Sequence, residues 1–258
     1  MIDNYYVTAI SALGDNYIWT LYSSYCALVI DPGDSLPVID FLEKKKLHLA
    51  AILLTHHHFD HVGGVPELVE RYSAPVYCPA DSRFPGSYER VGDSLRIHYD
   101  GGMDIFLRVM FLPGHTRSHV AYYSSPFLFC GDVLFSGGCG RVFEGTHQQM
   151  FSSLDCLAKL PDETMVFCAH EYTQNNLRFA KVVEPNNHHL IYRIKEVDSL
   201  LKSGQPSVPS RILDEKLTNP FLRCNLNSVR EFCQRISSND CATPLEVFST
   251  LRAYKDQF

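Results

Sequence analysis

No stretch of the 258-residue chain approaches the roughly 20 consecutive apolar residues that a bilayer-spanning helix needs. The reading is therefore of a protein with no membrane partner. The opening Met1-Ile2-Asp3-Asn4-Tyr5-Tyr6 lacks the basic n-region of a secretory signal. The nine cysteines include no CxxC pair, and an odd count leaves at least one unpaired. Cys130 and Cys168 close apolar runs, where a thiol behaves as a small apolar group. Together these absences point to a reducing, cytoplasmic compartment. A dense basic run is also missing, and the formal charge of −6 disfavours nucleic acid as a partner. What is left is an ordinary globular composition, 45% hydrophobic and 20% charged. Its length suits one large domain, or one medium and one small, around an ample core. A monomer is expected.

Against this plain background stands Thr55-His56-His57-His58-Phe59-Asp60-His61. It begins where the apolar run Leu49-Ala50-Ala51-Ile52-Leu53-Leu54 stops. That run is short and has no helical period, so it reads as a buried strand. Three further strand-like runs end in the same manner. Residues 105–112 lead into Pro113-Gly114-His115-Thr116, residues 127–130 into Gly131-Asp132, and residues 165–168 into Ala169-His170. Ligands at the carboxyl ends of several strands converge on one sheet edge, where open α/β folds place their sites.

Seven candidate ligands result: His56, His58, Asp60, His61, His115, Asp132 and His170. Imidazole and carboxylate are donors that zinc, iron and manganese accept. Count and type suggest two divalent metal ions per chain, with zinc first and iron or manganese also compatible. His56, His58 and His115 give three nitrogens to one metal, and Asp60, His61 and His170 serve the other. Asp132, with two carboxylate oxygens, is the natural bridge. Each metal keeps a place for a shared water, as catalytic sites do. Cysteine is absent from the set, which speaks against a structural zinc. The expectation is a dinuclear hydrolytic centre.

Organisation changes near residue 173. Before it, strands alternate with helical stretches at 36–46, 65–72 and 148–160. After it, strand-like runs vanish, and residues 177–183, 188–202, 228–236 and 244–254 have helical spacing. Thr243-Pro244 supplies an N-cap hydroxyl and a proline at the first helical position. Residues 203–209 form a turn-rich connection.

THHHFDH with GHT, GD and a later His resembles the metallo-β-lactamase superfamily. Gly131-Asp132-Val133-Leu134-Phe135-Ser136-Gly137-Gly138-Cys139-Gly140-Arg141-Val142-Phe143-Glu144-Gly145-Thr146 narrows the resemblance to the glyoxalase II (hydroxyacylglutathione hydrolase) family. Asp15-Asn16-Tyr17-Ile18-Trp19, His170-Glu171-Tyr172-Thr173, Asn219-Pro220-Phe221-Leu222-Arg223 and the tail Arg252-Ala253-Tyr254-Lys255-Asp256-Gln257-Phe258 extend it along the chain. Val133 departs from the Thr often found there, and Phe143 from a Tyr that some members carry. The resemblance implies an α+β protein, an αββα sandwich at 1–173 followed by a small all-helical substrate-binding domain at 174–258. It further implies hydrolysis of S-D-lactoylglutathione and related 2-hydroxyacyl thioesters, by a hydroxide held between two metals, in methylglyoxal detoxification. Asp60 and Asp132 would be catalytic as well as ligating.

Substrate choice on this reading rests with Arg141, Arg252 and Lys255 for the glycine carboxylate, and with Phe143 and Tyr172 lining the pocket. Read from spacing alone, Arg252 and Lys255 sit three apart near a helix end. There they could share a face, or merely complement the helix dipole. A zinc β-lactamase and a glutathione persulfide dioxygenase are the alternatives with the same fold. The first would have no use for the helical tail, and the second needs one iron and not two ligand sets. Cys139, between two glycines with no base nearby, reads as part of a tight turn and not as a nucleophile. His57 is expected to be exposed. His119 is a candidate neighbour of the ligands, Asp31 a support for the metal loop, and His188 and His189 decorations of a helix.

Overall fold

The computed structural model describes residues 5–81, 83–84, 86–100, 102–237 and 240–258. The chain divides into two compact units, Met1–Phe111 with Ser118–Gly131, and Leu112–Arg117 with Asp132–Phe258.

The first unit opens with β1 (Tyr6–Ala12), β2 (Asn16–Tyr22), β3 (Cys26–Ile30), α1 (Leu36–Lys45) and β4 (His48–Leu53). It continues through α2 (Phe59–Val62), α3 (Val65–Tyr72), β5 (Val76–Cys78) and β6 (Glu89–Arg90). These strands form one sheet in the order β1-β2-β3-β4-β5-β6, antiparallel up to β3 and parallel beyond it. CALVI of β3 and HLAAIL of β4 are buried except at His48. Continuous burial is what parallel strands covered on both faces require, and it explains why the β4 run shows no alternation. Ile39 and Leu42 of α1 and Leu68 of α3 pack in one apolar cluster with Val29 and Ile52. Because β3 and β4 are parallel and end at the pair Ile30 and Leu53, the residues that follow them emerge on the same sheet edge. Asp31 leaves one strand, and Thr55 and His56 soon leave the other.

The unit is completed by β7 (Ser94–Tyr99), β8 (Met103–Phe111), β9 (Val120–Ser124) and β10 (Phe127–Gly131), paired antiparallel in the order β10-β9-β8-β7. Ile105, Leu107 and Val109 of β8 are buried and Asp104, Phe106 and Arg108 are exposed, the period-2 pattern of a strand with one covered face. Both β8 and β10 are antiparallel to β9, so they run the same way and finish at one edge.

In the second unit β11 (Leu134–Phe135) and β12 (Gly138–Cys139) make a small hairpin around Gly137, whose φ is +70°. Helix α4 (His147–Ala158) starts at a Thr146 and Gln149 capping box. Then come β13 (Met165–Cys168), α5 (Thr173–Val183), α6 (His188–Lys202), β14 (Ser210–Arg211), α7 (Ile212–Thr218), a 3₁₀ turn at Pro220–Leu222, α8 (Asn227–Ile236) and α9 (Pro244–Lys255). Phe221 bridges the aromatic core, 5.9 Å from Phe179 and 5.8 Å from Phe248 between ring centroids. Two features depart from the sequence reading. A two-residue strand, β14, pairs with β13 after residue 173, and α7 lies where no helical spacing was evident. Both are too short to carry a period.

All nine cysteines are thiols outside any disulfide, and all but Cys156 are buried. Burial pushes the thiols of Cys78, Cys168 and Cys233 up to about 12. Among the described residues no helix is long and apolar enough to cross a membrane.

The start of α9 is fixed by Thr243, whose hydroxyl accepts the Glu246 N–H while the Glu246 carboxylate accepts the Thr243 N–H. Thr243→Ala should lower stability by about 1 kcal/mol. The measurement is the urea midpoint, which should fall at unchanged slope; an unmoved midpoint would show that the cap contributes nothing.

Candidate active site

The ligand loop of the first unit is organised by Asp31, which sits at φ +53° just past β3 and is 4% exposed. Its Oδ1 accepts the Thr55 backbone N–H at 2.7 Å, and its Oδ2 accepts the Thr55 hydroxyl at 2.6 Å. Oδ2 also lies 3.0 Å from His61 Nδ1. An ionised carboxylate only accepts, so the proton is on Nδ1 and a neutral His61 carries its lone pair on Nε2. The same logic runs through Thr55. Its hydroxyl has donated to Asp31, so it accepts from His56 Nδ1 at 3.0 Å and leaves the His56 lone pair on Nε2.

Those two lone pairs face other donors. His56 Nε2 is 3.1 Å from His58 Nδ1, near the roughly 3.3 Å that separates two nitrogens of a tetrahedral site with metal–nitrogen bonds of about 2.05 Å. His61 Nε2 is 3.4 Å from Asp60 Oδ2. Asp60 is itself held by Asn16, whose Nδ2 donates to its backbone oxygen at 3.3 Å and to Oδ2 at 3.1 Å. Asn16 was part of a recognised motif, but its partner could not be read from spacing. His119, fully buried, stacks on the His56 ring at 4.8 Å between centroids.

One expectation fails here. His57 is not exposed: its side chain is only 11% accessible, and Nδ1 lies 3.7 Å from Asp81. Asp81 also binds Arg83 and the Ser118 hydroxyl, and the Arg83 contacts hold its carboxyl well below the usual range. An ionised acid beside the loop gives His57 a partner inside the protein.

In the second unit His115 Nδ1 lies 2.8 Å from the Arg141 carbonyl, which can only accept, so the proton is again on Nδ1. His115 Nε2 then faces Asp132 Oδ2 at 3.4 Å, and His170 Nε2 faces the other oxygen, Oδ1, at 3.5 Å. The His115 lone pair turned toward a carboxylate oxygen is repulsive unless a cation lies between them. The donor geometry in each unit therefore fits divalent metal ions, and the two Asp132 oxygens address two different imidazoles. Gly140 is required for this arrangement, because a Cβ there would come within 1.9 Å of the Asp132 carbonyl oxygen.

His115 and Asp132 line a cavity of about 430 Å³ in the second unit. Phe143 meets the His115 ring edge-on at 5.2 Å, and Tyr172 stacks on His170 at 4.7 Å. Arg141, Arg252 and Lys255 line the same cavity. Arg141 is mostly exposed, whereas Arg252 is 3% exposed and committed to the Cys139 carbonyl at 2.9 Å and to Asp256. The Lys255 ammonium lies over the rings of Phe179 and Phe258, 5.0 and 5.2 Å from their centroids. Burial, aided by Arg252, pushes it down to about 8. A larger groove of about 760 Å³ in this unit is lined by His188, Arg193 and Arg211, but its arginines are paired with Glu196 and Asp214.

Sequence reasoning gave no role to three residues that hold the backbone of the hairpin beside the cavity, although Asn219 stands in a recognised motif. Asn219 Nδ2 donates to the Phe135 and Gly138 carbonyls, Asn176 Nδ2 to the Ser136 carbonyl, and Glu215 accepts the Gly137 N–H. Burial pushes the Glu215 carboxyl up, and it pushes the Cys139 thiol up too, consistent with a turn residue and not a nucleophile.

Residues 18–170 match the metallo-β-lactamase superfamily, and residues 171–258 match the hydroxyacylglutathione hydrolase C-terminus family. The hydroxyacylglutathione hydrolase of Nitrosomonas eutropha is 45% identical over 260 residues, covering 100% of both chains. That of Alkalilimnicola ehrlichii is 48% identical over 253 residues, covering 97% of this chain and 98% of the other. Among solved structures, the BLEG-1 B3 metallo-β-lactamase superposes with a TM-score of 0.63 at 24% identity, covering 84% of this chain and 99% of that one. ETHE1 from Myxococcus xanthus gives 0.62 at 24% identity and 97% of each chain. A protein solved in a di-iron-bound form gives 0.52 at 30% identity, over 64% of this chain and 91% of that one. The fold is thus the α+β metallo-β-lactamase fold with a helical C-terminal region.

The bracing by Asp31 makes a direct prediction. Asp31→Asn keeps the size of the side chain but removes its charge and one acceptor. Metal affinity should fall about 10- to 100-fold, read by competition against a chromophoric chelator, while circular dichroism stays native. Unchanged affinity would show that the Thr55 and His61 contacts do not tune the ligands.

Proposed function

The chain belongs to the hydroxyacylglutathione hydrolase family of the metallo-β-lactamase superfamily, and on that premise we propose that it hydrolyses S-D-lactoylglutathione to D-lactate and glutathione. One observation carries this reading: ligand-type residues His115 and Asp132 line the same cavity as the cations Arg141 and Lys255. Such a cavity suits a substrate with a reactive carbonyl at one end and a carboxylate at the other.

In this proposal His56, His58 and His115 would hold one divalent ion, Asp60, His61 and His170 would hold the other, and Asp132 would serve both. Zinc is the first choice; the relative solved with two irons supports iron as a second. When bound, the ions supply Lewis acidity, acidify a water near neutral pH and offset charge developing on the thioester carbonyl. The Asp60 carboxylate would accept a hydrogen bond from the attacking water and so aim it. As the carbon–oxygen bond forms and the carbon–sulfur bond breaks, sulfur leaves as a thiolate whose thiol pKa is about 8.5 when free. A strong general acid is therefore unnecessary, and none is assigned. Arg141 and Lys255 hold the glycine carboxylate, with Arg252 behind them, and Phe143 and Tyr172 wall the path to His115 and His170.

Residues 1–173 are read as the catalytic domain and 174–258 as the substrate-binding domain, a division that the two family matches support. A cytoplasmic monomer is proposed, without nucleic acid or membrane as partner; nine thiols outside any disulfide support the compartment, and the net charge of −6 speaks against nucleic acid.

Purified protein should consume the thioester absorbance of S-D-lactoylglutathione, carry close to two metals per chain and stop on addition of a strong chelator. Full activity with a single ion would defeat the dinuclear reading. Asp132→Asn should lose metal and fall in rate by about 10²-fold or more, since several kcal/mol of charge stabilisation are at stake; retained metal and rate would remove Asp132 from the site.

Lys255 yields a pH prediction. Its ammonium is charged below about 8 and neutral above it, so carboxylate binding should weaken as pH rises through that value. The quantity to follow is kcat/KM, which reports the free enzyme. Lys255→Ala should raise KM about ten- to hundredfold, from roughly 1.5–3 kcal/mol for a charge-assisted contact. The step near pH 8 should vanish in the variant, and its persistence would assign the step to another group.

A further inference from the structure

Asp256 places a carboxylate inside a cavity read as binding an anion, where simple electrostatics would make it a liability. It caps the end of α9, its backbone N–H reaching the Arg252 carbonyl at 3.0 Å. Its Oδ1 accepts from Arg252 Nε at 3.0 Å and lies 2.8 Å from Arg252 Nη2. The same oxygen lies 3.6 Å from Arg141 Nε. Arg252 is a fixed strut: Nη1 donates to the Cys139 carbonyl at 2.9 Å, and the guanidinium lies over Phe221 at 5.1 Å. Arg141, by contrast, is 59% exposed on a long side chain. Asp256 thus joins an exposed arginine to a fixed one and offsets the charge of the fixed one.

We propose that Asp256 is a positioning residue for anion recognition, holding the Arg141 guanidinium toward the cavity, so that this acid strengthens binding of the glutathione carboxylate. The inference rests on the glutathione reading above. Ordering a rotamer-rich side chain before the ligand arrives removes part of the entropy cost of binding. Repulsion from the Asp256 charge is muted because Arg252 already neutralises it.

The two effects have opposite signs, and Asp256→Asn separates them. The probe is glutathione itself, titrated calorimetrically into the full-length chain, so that binding is read without turnover. Positioning predicts about tenfold weaker binding in Asp256→Asn, equivalent to about 1.4 kcal/mol, with KM for the thioester raised likewise and kcat nearly unchanged. It also predicts that Asp256→Asn has little further effect in an Arg141→Ala background. Asp256→Glu, which keeps the charge, should recover part of the loss. Tighter binding by Asp256→Asn would show that the acid merely repels the ligand. An equal loss in the presence and absence of Arg141 would assign Asp256 to the support of Arg252 and α9. Either result overturns the inference while leaving the substrate reading intact. A wild-type chain that neither binds glutathione nor hydrolyses its thioester overturns both.

Discussion

A carboxylate taken out of water costs several kcal/mol unless its oxygens find donors, and Asp31 meets that demand with the groups that must be aimed. Its two oxygens take the Thr55 N–H, the Thr55 hydroxyl and His61 Nδ1. The parallel register of β3 and β4 brings these groups together, ending both strands at one edge. Satisfying one buried acid thereby selects the tautomer of His61 directly and that of His56 through Thr55. The positive φ at Asp31 is the local strain that lets its carboxylate turn back toward the strand beside it.

The second unit solves a similar problem with the roles exchanged. There the groups to be satisfied are the peptide groups of a buried hairpin, and distant side chains satisfy them. Asn176, Glu215, Asn219 and Arg252 each take a peptide group between Phe135 and Cys139. The helices of this unit are therefore more than a surface for ligand contact. They set the shape of the segment that leads from Asp132 to Arg141, and the Arg141 carbonyl in turn orients His115.

Much of the architecture was legible because buried strands and amphipathic helices carry their own periods. The runs at 49–54, 105–112, 127–130 and 165–168 became β4, β8, β10 and β13, and the cap at Thr243 was visible as a hydroxyl followed by proline. Seven ligand-type residues were legible because imidazole and carboxylate cluster rarely at strand ends. What stayed hidden were pairings across long separations: Asn16 with Asp60, His57 with Asp81, Asn219 with Phe135, Asp256 with Arg141. Each depends on tertiary placement, which no local pattern encodes. Arg252 shows the same limit, since its position three residues from Lys255 held no sign that it would be buried against Cys139.

The buried thiols have a consequence of their own. Only the thiolate is an effective nucleophile, and a thiol held near 12 is ionised to about one part in 10⁵ at pH 7, by the tenfold change per pH unit that acid–base equilibrium imposes. Cys78, Cys168 and Cys233 are in that state, and burial raises the thiols of Cys26, Cys139 and Cys224 as well. Those six thiols are thus poor targets for alkylating and carbonyl electrophiles, and Cys156 is the thiol of the nine that such reagents can most readily reach.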